Sequence, residues 1–183
     1  MGKRSDFVRK DRDFYATPYE AVVPLFEHLP KKQFGFAEPC AGDGALVKHI
    51  EDSTNGWCSW ASDLEPQVDI AERGIILTRD YREVTMSDLY EADYIITNPP
   101  WDRKILHDMI DRFTNCRKTW LLFDADWIHT KQSKPYQHLI KKIVSIGRVK
   151  WIPGTKSVGK DNCCWYLFDR ISSDKTKFYG RMK

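Results

Sequence analysis

Ala92-Asp93-Tyr94-Ile95-Ile96-Thr97-Asn98-Pro99-Pro100-Trp101 reads as a buried strand that stops at a rigid polar turn. Tyr94, Ile95 and Ile96 form a β-favouring run bounded by turn residues. Neither proline can donate to a sheet ladder, so the strand must end at Asn98. A residue that precedes proline is pushed towards extended geometry, which holds both Asn98 and Pro99. The Asn98 amide oxygen and the Pro99 carbonyl are then fixed acceptors in a corner closed by the Trp101 ring. Such a corner suits a flat ring that carries an exocyclic amino group.

Upstream, Phe34 to Ala37 predicts a short strand, followed by Glu38-Pro39-Cys40-Ala41-Gly42-Asp43-Gly44 and a helix from about Ala45 to Asp52. Gly42 and Gly44 allow a tight strand-to-helix turn and close approach of a ligand, although the third glycine of the dinucleotide fingerprint is missing. Trp57 to Ala61 predicts a second strand ending in Ser62-Asp63-Leu64-Glu65-Pro66. Asp63 stands 19 residues after Gly44, the spacing at which a carboxylate accepts from a ribose diol. Gly74 to Thr78 predicts a third strand, with Arg79-Asp80-Tyr81 behind it. Four strands alternating with helices on short connections imply a parallel, doubly wound α/β sheet. Glu38 to Gly44, Asp63, Asp80 and Asn98 to Trp101 all fall at the carboxyl ends of these strands, where such sheets hold their ligands.

An amphipathic helix is predicted from about Tyr19 to Leu29, with Thr17 as its N-cap and Pro18 in its first turn. Downstream, the sequence predicts a helix from about Lys104 to Phe113, a strand from Trp120 to Asp124, and a helix from about Pro135 to Ile143. Strands are predicted at about Gly147 to Ile152 and Cys163 to Asp169. The loop between them, residues 153–162, is glycine-rich and carries Lys156 and Lys160, placed to meet a polyanion.

The 183 residues fit one domain with a real core, and a net charge of +3 is too mild to declare a nucleic-acid binder by itself. The charge is concentrated at the ends, with Lys3, Arg4, Arg9, Lys10 and Arg12 in one and Arg170, Lys175, Lys177, Arg181 and Lys183 in the other. The expected organisation is a basic tail over 1–12, a single domain over 13–170 and a second basic tail over 171–183, without a separate recognition domain. Five cysteines in no framework spacing fit neither a disulfide scaffold nor a zinc site, so no metal is expected. No long apolar run suggests a membrane segment, and a reducing cytoplasm is the simple expectation.

Asn98-Pro99-Pro100-Trp101 resembles the (Asn/Asp/Ser)-Pro-Pro-aromatic signature of methyltransferases that act on planar amines. Glu38-Pro39-Cys40-Ala41-Gly42-Asp43-Gly44 is similar to the first motif of the gamma class of these enzymes, and Tyr15-Ala16-Thr17-Pro18 resembles their N-terminal element. The resemblance is to the phage-type DNA adenine-N6 members and covers roughly residues 13–170. It implies a Rossmann-like, seven-stranded class I methyltransferase sheet, mostly parallel with an antiparallel C-terminal hairpin and helices on both faces. It implies S-adenosyl-L-methionine as cofactor, with Glu38 and Asp43 near the methionine ammonium and the 41–44 backbone lining the pocket. Tyr15 to Pro18 would meet the cofactor's amino-acid end, Asp63 and Leu64 its ribose, and Asp80 and Tyr81 its adenine. Cys40 lies inside this loop, away from the substrate side, and reads as a small packing residue. Catalysis would fall to Asn98, Pro99, Pro100 and Trp101, and substrate contacts to Trp101, Trp127, Lys156 and Lys160. The implied substrate is DNA, with a partner protein as one source of specificity. RNA adenine or guanine amines, or a protein glutamine amide, are alternatives within the same chemistry. A non-catalytic module that binds S-adenosylmethionine or nucleic acid is the alternative from another class.

Overall fold

The computed structural model describes residues 15–67, 76–152, 154 and 158–181. The first half alternates much as predicted: α1 (Tyr19–Phe26), β1 (Phe34–Glu38), α2 (Ala45–Ser53), β2 (Gly56–Asp63), β3 (Ile76–Thr78), β4 (Tyr94–Thr97), α3 (Arg103–Thr114) and β5 (Lys118–Asp124). Three more strands complete it: β6 (Ile140–Arg148), β7 (Asn162–Phe168) and β8 (Lys177–Tyr179). The predicted basic stretch 1–12, the opening of the third strand at 74–75, Lys156 and Lys183 lie outside the described residues.

All eight strands join one sheet in the order β3-β2-β1-β4-β5-β7-β6-β8. Every pairing is parallel except those of β7, which runs against both β5 and β6. The chain winds outward from β1 to β3, then returns to lay β4 on the other side of β1. The crevice at the carboxyl ends of β1 and β4 is therefore the topological switch point.

Side-chain alternation builds the two covering layers. Phe36, Ile96, Trp120, Leu122 and Trp165 face α1 and α2 in one core. Their strand neighbours turn to the other face, where Ile95 and Ala37 meet Met109 and Phe113 of α3. Leu121, Phe123 and Tyr166 meet Leu106 and Ile110 there. Trp165 Nε1 donates to Ala21 O at 2.8 Å, pinning α1 to the sheet across 144 positions.

Several expectations are corrected. Among the described residues the sheet has eight strands, not seven; the extra one, β8, comes from the stretch expected to be a tail and pairs parallel with β6. The helix predicted over Pro135 to Ile143 is replaced by a short 3₁₀ turn, Gln137–Leu139, and the start of β6. The cause is a register shift between Ile140 and Lys142. The extra residue breaks the two-residue alternation, so Tyr136, Leu139, Ile140 and Ile143 imitate helical spacing. A second shift between Ser145 and Gly147, where Gly147 takes φ 86°, precedes the end of β6 at Arg148, so Trp151 lies outside any strand. Helix α1 ends at Phe26, short of Leu29, with Pro24 inside it. Its N-cap is Pro18, not Thr17, because the Thr17 hydroxyl is engaged elsewhere. Among the described residues no helix is long and apolar enough to cross a membrane.

Candidate active site

After β1 the chain doubles back through Gly42 (φ 54°) and Gly44 (φ 72°), a hand that glycine adopts without steric cost. Ala41 N donates to Ser62 O at 2.9 Å, and Gly44 N to Ala41 O at 2.7 Å. Asp63, expected at a ribose, also clamps this turn: its Oδ2 accepts from Gly42 N and its Oδ1 from Glu65 N, each at 2.8 Å. A carboxylate has about four acceptor positions, so two remain for a diol. Leu64 stands beside it, 56% exposed.

Glu38 is 1% exposed, and its Oε2 is buried with no hydrogen-bond partner. Burial first, then the Asp63 and Asp43 charges, hold its carboxyl well above the usual range; the Val47 backbone N–H acts the other way. Asp43 caps the first turn of α2 through Ala45 N at 3.0 Å. A buried acid with an orphaned oxygen, beside two further carboxylates, calls for a cation. Among the described residues no group of three or more His, Cys, Asp or Glu is placed to hold a metal ion. The Ser62 hydroxyl, at the end of β2, is likewise buried without a partner. Burial raises the Cys40 thiol, and the Thr97 hydroxyl faces it; this is a packing cysteine and not a nucleophile.

Register places the Asn98 corner beside this turn. Ala37 pairs with Ile95, so β1 and β4 run out together, with Cys40 against Thr97. Asn98 Nδ2 donates to Thr17 Oγ1 at 3.2 Å, bringing the Tyr15 to Pro18 element to the same point. That bond fixes which way the amide faces and leaves Oδ1 as the acceptor. Pro99 is buried and Pro100 half-buried. Trp101, also half-buried, meets Trp151 edge-on at 5.9 Å and 86°. Trp151 in turn lies 6.5 Å from the Tyr15 ring. Trp151 was not among the sequence candidates. Its signal was an aromatic residue just ahead of a glycine-rich loop, and Gly159 of that loop donates its N–H to Val149 O at 2.7 Å. A Cβ on Gly159 would come within 3.2 Å of the Trp151 ring.

Three expected contacts are placed differently. Trp127 is fully buried, and its Nε1 donates to His107 Nε2 at 3.0 Å, so its faces are spent on the core and not on a substrate ring. Asp80 caps the turn Tyr81–Glu83 and accepts three hydrogen bonds from Arg82, two from its guanidinium and one from its backbone N–H. The capping box brings Glu83 N to the same carboxylate, so its acceptor positions are taken within the turn. Tyr81 donates to Asp108 Oδ2 at 2.9 Å and packs edge-on against Phe113, which makes it a wall more than a polar contact. Lys160 is exposed just ahead of β7.

The fold defines a class: an open α/β sheet resembling the class I methyltransferases, with the Asn98 corner and the glycine turn at its switch point. No protein-family model matches the sequence, and no curated protein does. Among solved structures, a Pyrococcus horikoshii protein assigned as an RNA methyltransferase superposes with a TM-score of 0.64 at 15% identity, covering 87% of this chain and 89% of that one. A modification subunit assigned to a type I restriction enzyme of Vibrio vulnificus gives 0.57 at 15% identity, over 91% of this chain and 47% of that one. A protein of Listeria monocytogenes assigned as a class I S-adenosylmethionine-dependent methyltransferase gives 0.54 at 10% identity, over 93% and 65%. This chain thus spans about half the length of the restriction subunit and under two thirds of the Listeria protein. At these identities the likeness is one of fold.

Proposed function

We propose that the protein transfers the methyl group of S-adenosylmethionine to the N6 amine of adenine in DNA, directly and without a covalent enzyme intermediate. The observation that carries this reading is the Asn98–Thr17 bond at the β1/β4 switch point, beside the partnerless buried carboxyl of Glu38. Glu38, Asp43 and the 41–44 backbone would hold the methionine end of the cofactor, and Asp63 its ribose. Leu64, Tyr81 and Asp80 would border its adenine. When bound, S-adenosylmethionine supplies a methyl group already activated by a sulfonium charge.

The residues of the corner do the rest. An exocyclic ring nitrogen is a poor nucleophile, because its lone pair is delocalised into the ring. Asn98 Oδ1 and the Pro99 carbonyl each accept one N–H, favouring the pyramidal amine whose lone pair can form the new N–C bond. The product nitrogen then sheds its extra proton to solvent, with no strong base required. Trp101, backed by Trp151, stacks on the ring and holds it flat. In duplex DNA the base must first leave the stack at a cost of a few kcal/mol, offset by this aromatic pocket.

The near-equal length of the Pyrococcus horikoshii neighbour favours a second reading, the same chemistry on RNA. The restriction subunit favours DNA, with specificity supplied by a partner protein. Labelled methyl transfer to DNA, RNA and protein pools, followed by nucleoside analysis, separates these readings. N6-methyladenine in DNA is the expected product. Label confined to RNA would replace the substrate, label confined to protein would point to a glutamine amide, and no label with cofactor bound would leave a binding module.

A further inference from the structure

At the opposite end of the sheet, a cavity of about 200 Å³ is lined by Lys118, Lys141, Lys142, Lys175, Lys177 and Trp120. Tyr94 and Lys118 begin β4 and β5, and Lys177 begins β8, so this is the amino edge of the parallel strands. Four residues of β4, about 13 Å at 3.3 Å each, separate Tyr94 from Asn98. The cavity is therefore distinct from the amine corner.

Its charge is unbalanced. Asp169 and Asp174 are the two carboxylates on the wall, against five lysines. Asp169 is partly spent: its Oδ1 accepts from Ile171 N at 2.9 Å and Ser172 N at 3.2 Å, while its Oδ2 lies 3.6 Å from Lys118 Nζ. Lys141 Nζ donates to His138 O at 3.0 Å. Among the described residues Lys142, Lys175 and Lys177 form no ion pair within 4.0 Å. Burial, then Lys177 and Lys118, push the Lys142 ammonium down, and burial, then Lys142, push His28 down.

The backbone builds this crowding. Ile140 pairs with Phe168 and Lys142 with Leu167, leaving Lys141 as the extra residue of a bulge. Consecutive strand residues normally face opposite sides of a sheet; the bulge lets two adjacent lysines line one cavity. Trp120 lines the cavity from within the core and so reports on what enters it. It is 0% exposed, and its Nε1 is a buried donor with no acceptor.

We propose that this cavity binds a phosphate group, its oxygens taken by the lysine ammoniums that line it, beside the Trp120 ring. Donors arriving from β5, β6 and β8 surround a tetrahedral group with several acceptor oxygens better than they would a planar carboxylate, and lysine binds phosphate as a point charge. At about 30 Å³ per liquid water, the volume corresponds to some six or seven waters, room for one such group. The phosphate comes either from a free phosphate compound or from a nucleic-acid chain passing round the sheet edge.

The indole N–H resonance of Trp120, assigned by its loss in Trp120→Phe, reports the site in the full chain. Titration with inorganic phosphate, pyrophosphate and a short DNA duplex, at ionic strength held with chloride, should move it saturably. Lys177→Gln, on an exposed strand, should weaken binding about tenfold, and Lys142→Gln/Lys177→Gln further, as charged hydrogen bonds are lost. Saturation by phosphate or pyrophosphate assigns the free compound; saturation by the duplex alone assigns the chain. A resonance unmoved by all three, or moved equally by chloride, overturns the proposal. So does undiminished binding in a folded double variant.

Discussion

Asn98 Nδ2 and Thr17 Oγ1 lie 3.2 Å apart, joining residues 81 positions distant in the chain. The bond orients the amide, so its loss should affect the rate more than cofactor affinity. Thr17→Val keeps the shape and removes the acceptor. A hydrogen bond worth about 0.5–1.5 kcal/mol predicts a fall in kcat of roughly two- to tenfold, with cofactor affinity falling by less. Asn98→Ala should abolish transfer while calorimetry still finds S-adenosylmethionine bound; an active Asn98→Ala protein would remove the mechanism.

Glu38 retains its proton in the folded protein to higher pH than in the unfolded chain. The native state therefore binds more protons, and stability falls as pH rises from the ordinary carboxylate range, about 4.5, towards the raised value. Thermal unfolding followed across that window should show the decline, and Glu38→Gln should flatten it. An ammonium-bearing ligand favours the ionised form, so its affinity should rise with pH over the same window in the native protein and not in Glu38→Gln.

Trp101 and Trp127 offer a paired test. Trp101→Leu keeps apolar bulk and loses the stacking face, predicting a fall in kcat/KM of about 1–3 kcal/mol in transition-state terms. Trp127→Ala should instead cost about 3–5 kcal/mol of stability, with the folded fraction turning over normally. Denaturant midpoints and kinetics on both variants separate the two roles.

Trp151 is expected to act with Trp101, since the rings meet edge-on at 5.9 Å. Trp151→Ala should raise KM for nucleic acid severalfold and leave cofactor affinity intact. A change confined to cofactor affinity would place Trp151 on the other side of the corner.

The first half of the fold was legible because its strands are short apolar runs ended by unambiguous residues. Glycines at 42 and 44 and prolines at 99 and 100 mark the points where strand must become turn. The second half was not, because two irregularities in β6 disguise its alternation and a three-residue strand such as β8 leaves no period to detect. At the candidate site, residue types pointed to Asn98, Glu38 and Asp63, which the fold sets at the carboxyl ends of β4, β1 and β2. Partner choice was hidden: nothing local shows that Thr17 would leave its helix for Asn98, or that Arg82 would occupy Asp80. Trp127 looked available because it follows a strand end, yet the hydrophobic area of an indole is gained most fully in the core.

Pro99 and Pro100 lack amide hydrogens, so the turn after β4 offers lone pairs and almost nothing to give in return. In the proposed reaction a base edge bearing a carbonyl, such as guanine O6 or thymine O4, would set oxygen against oxygen in this half-buried crevice. On the proposed function, the same backbone that halts the strand would act as a filter, admitting bases by what they donate before any other feature of their shape is read.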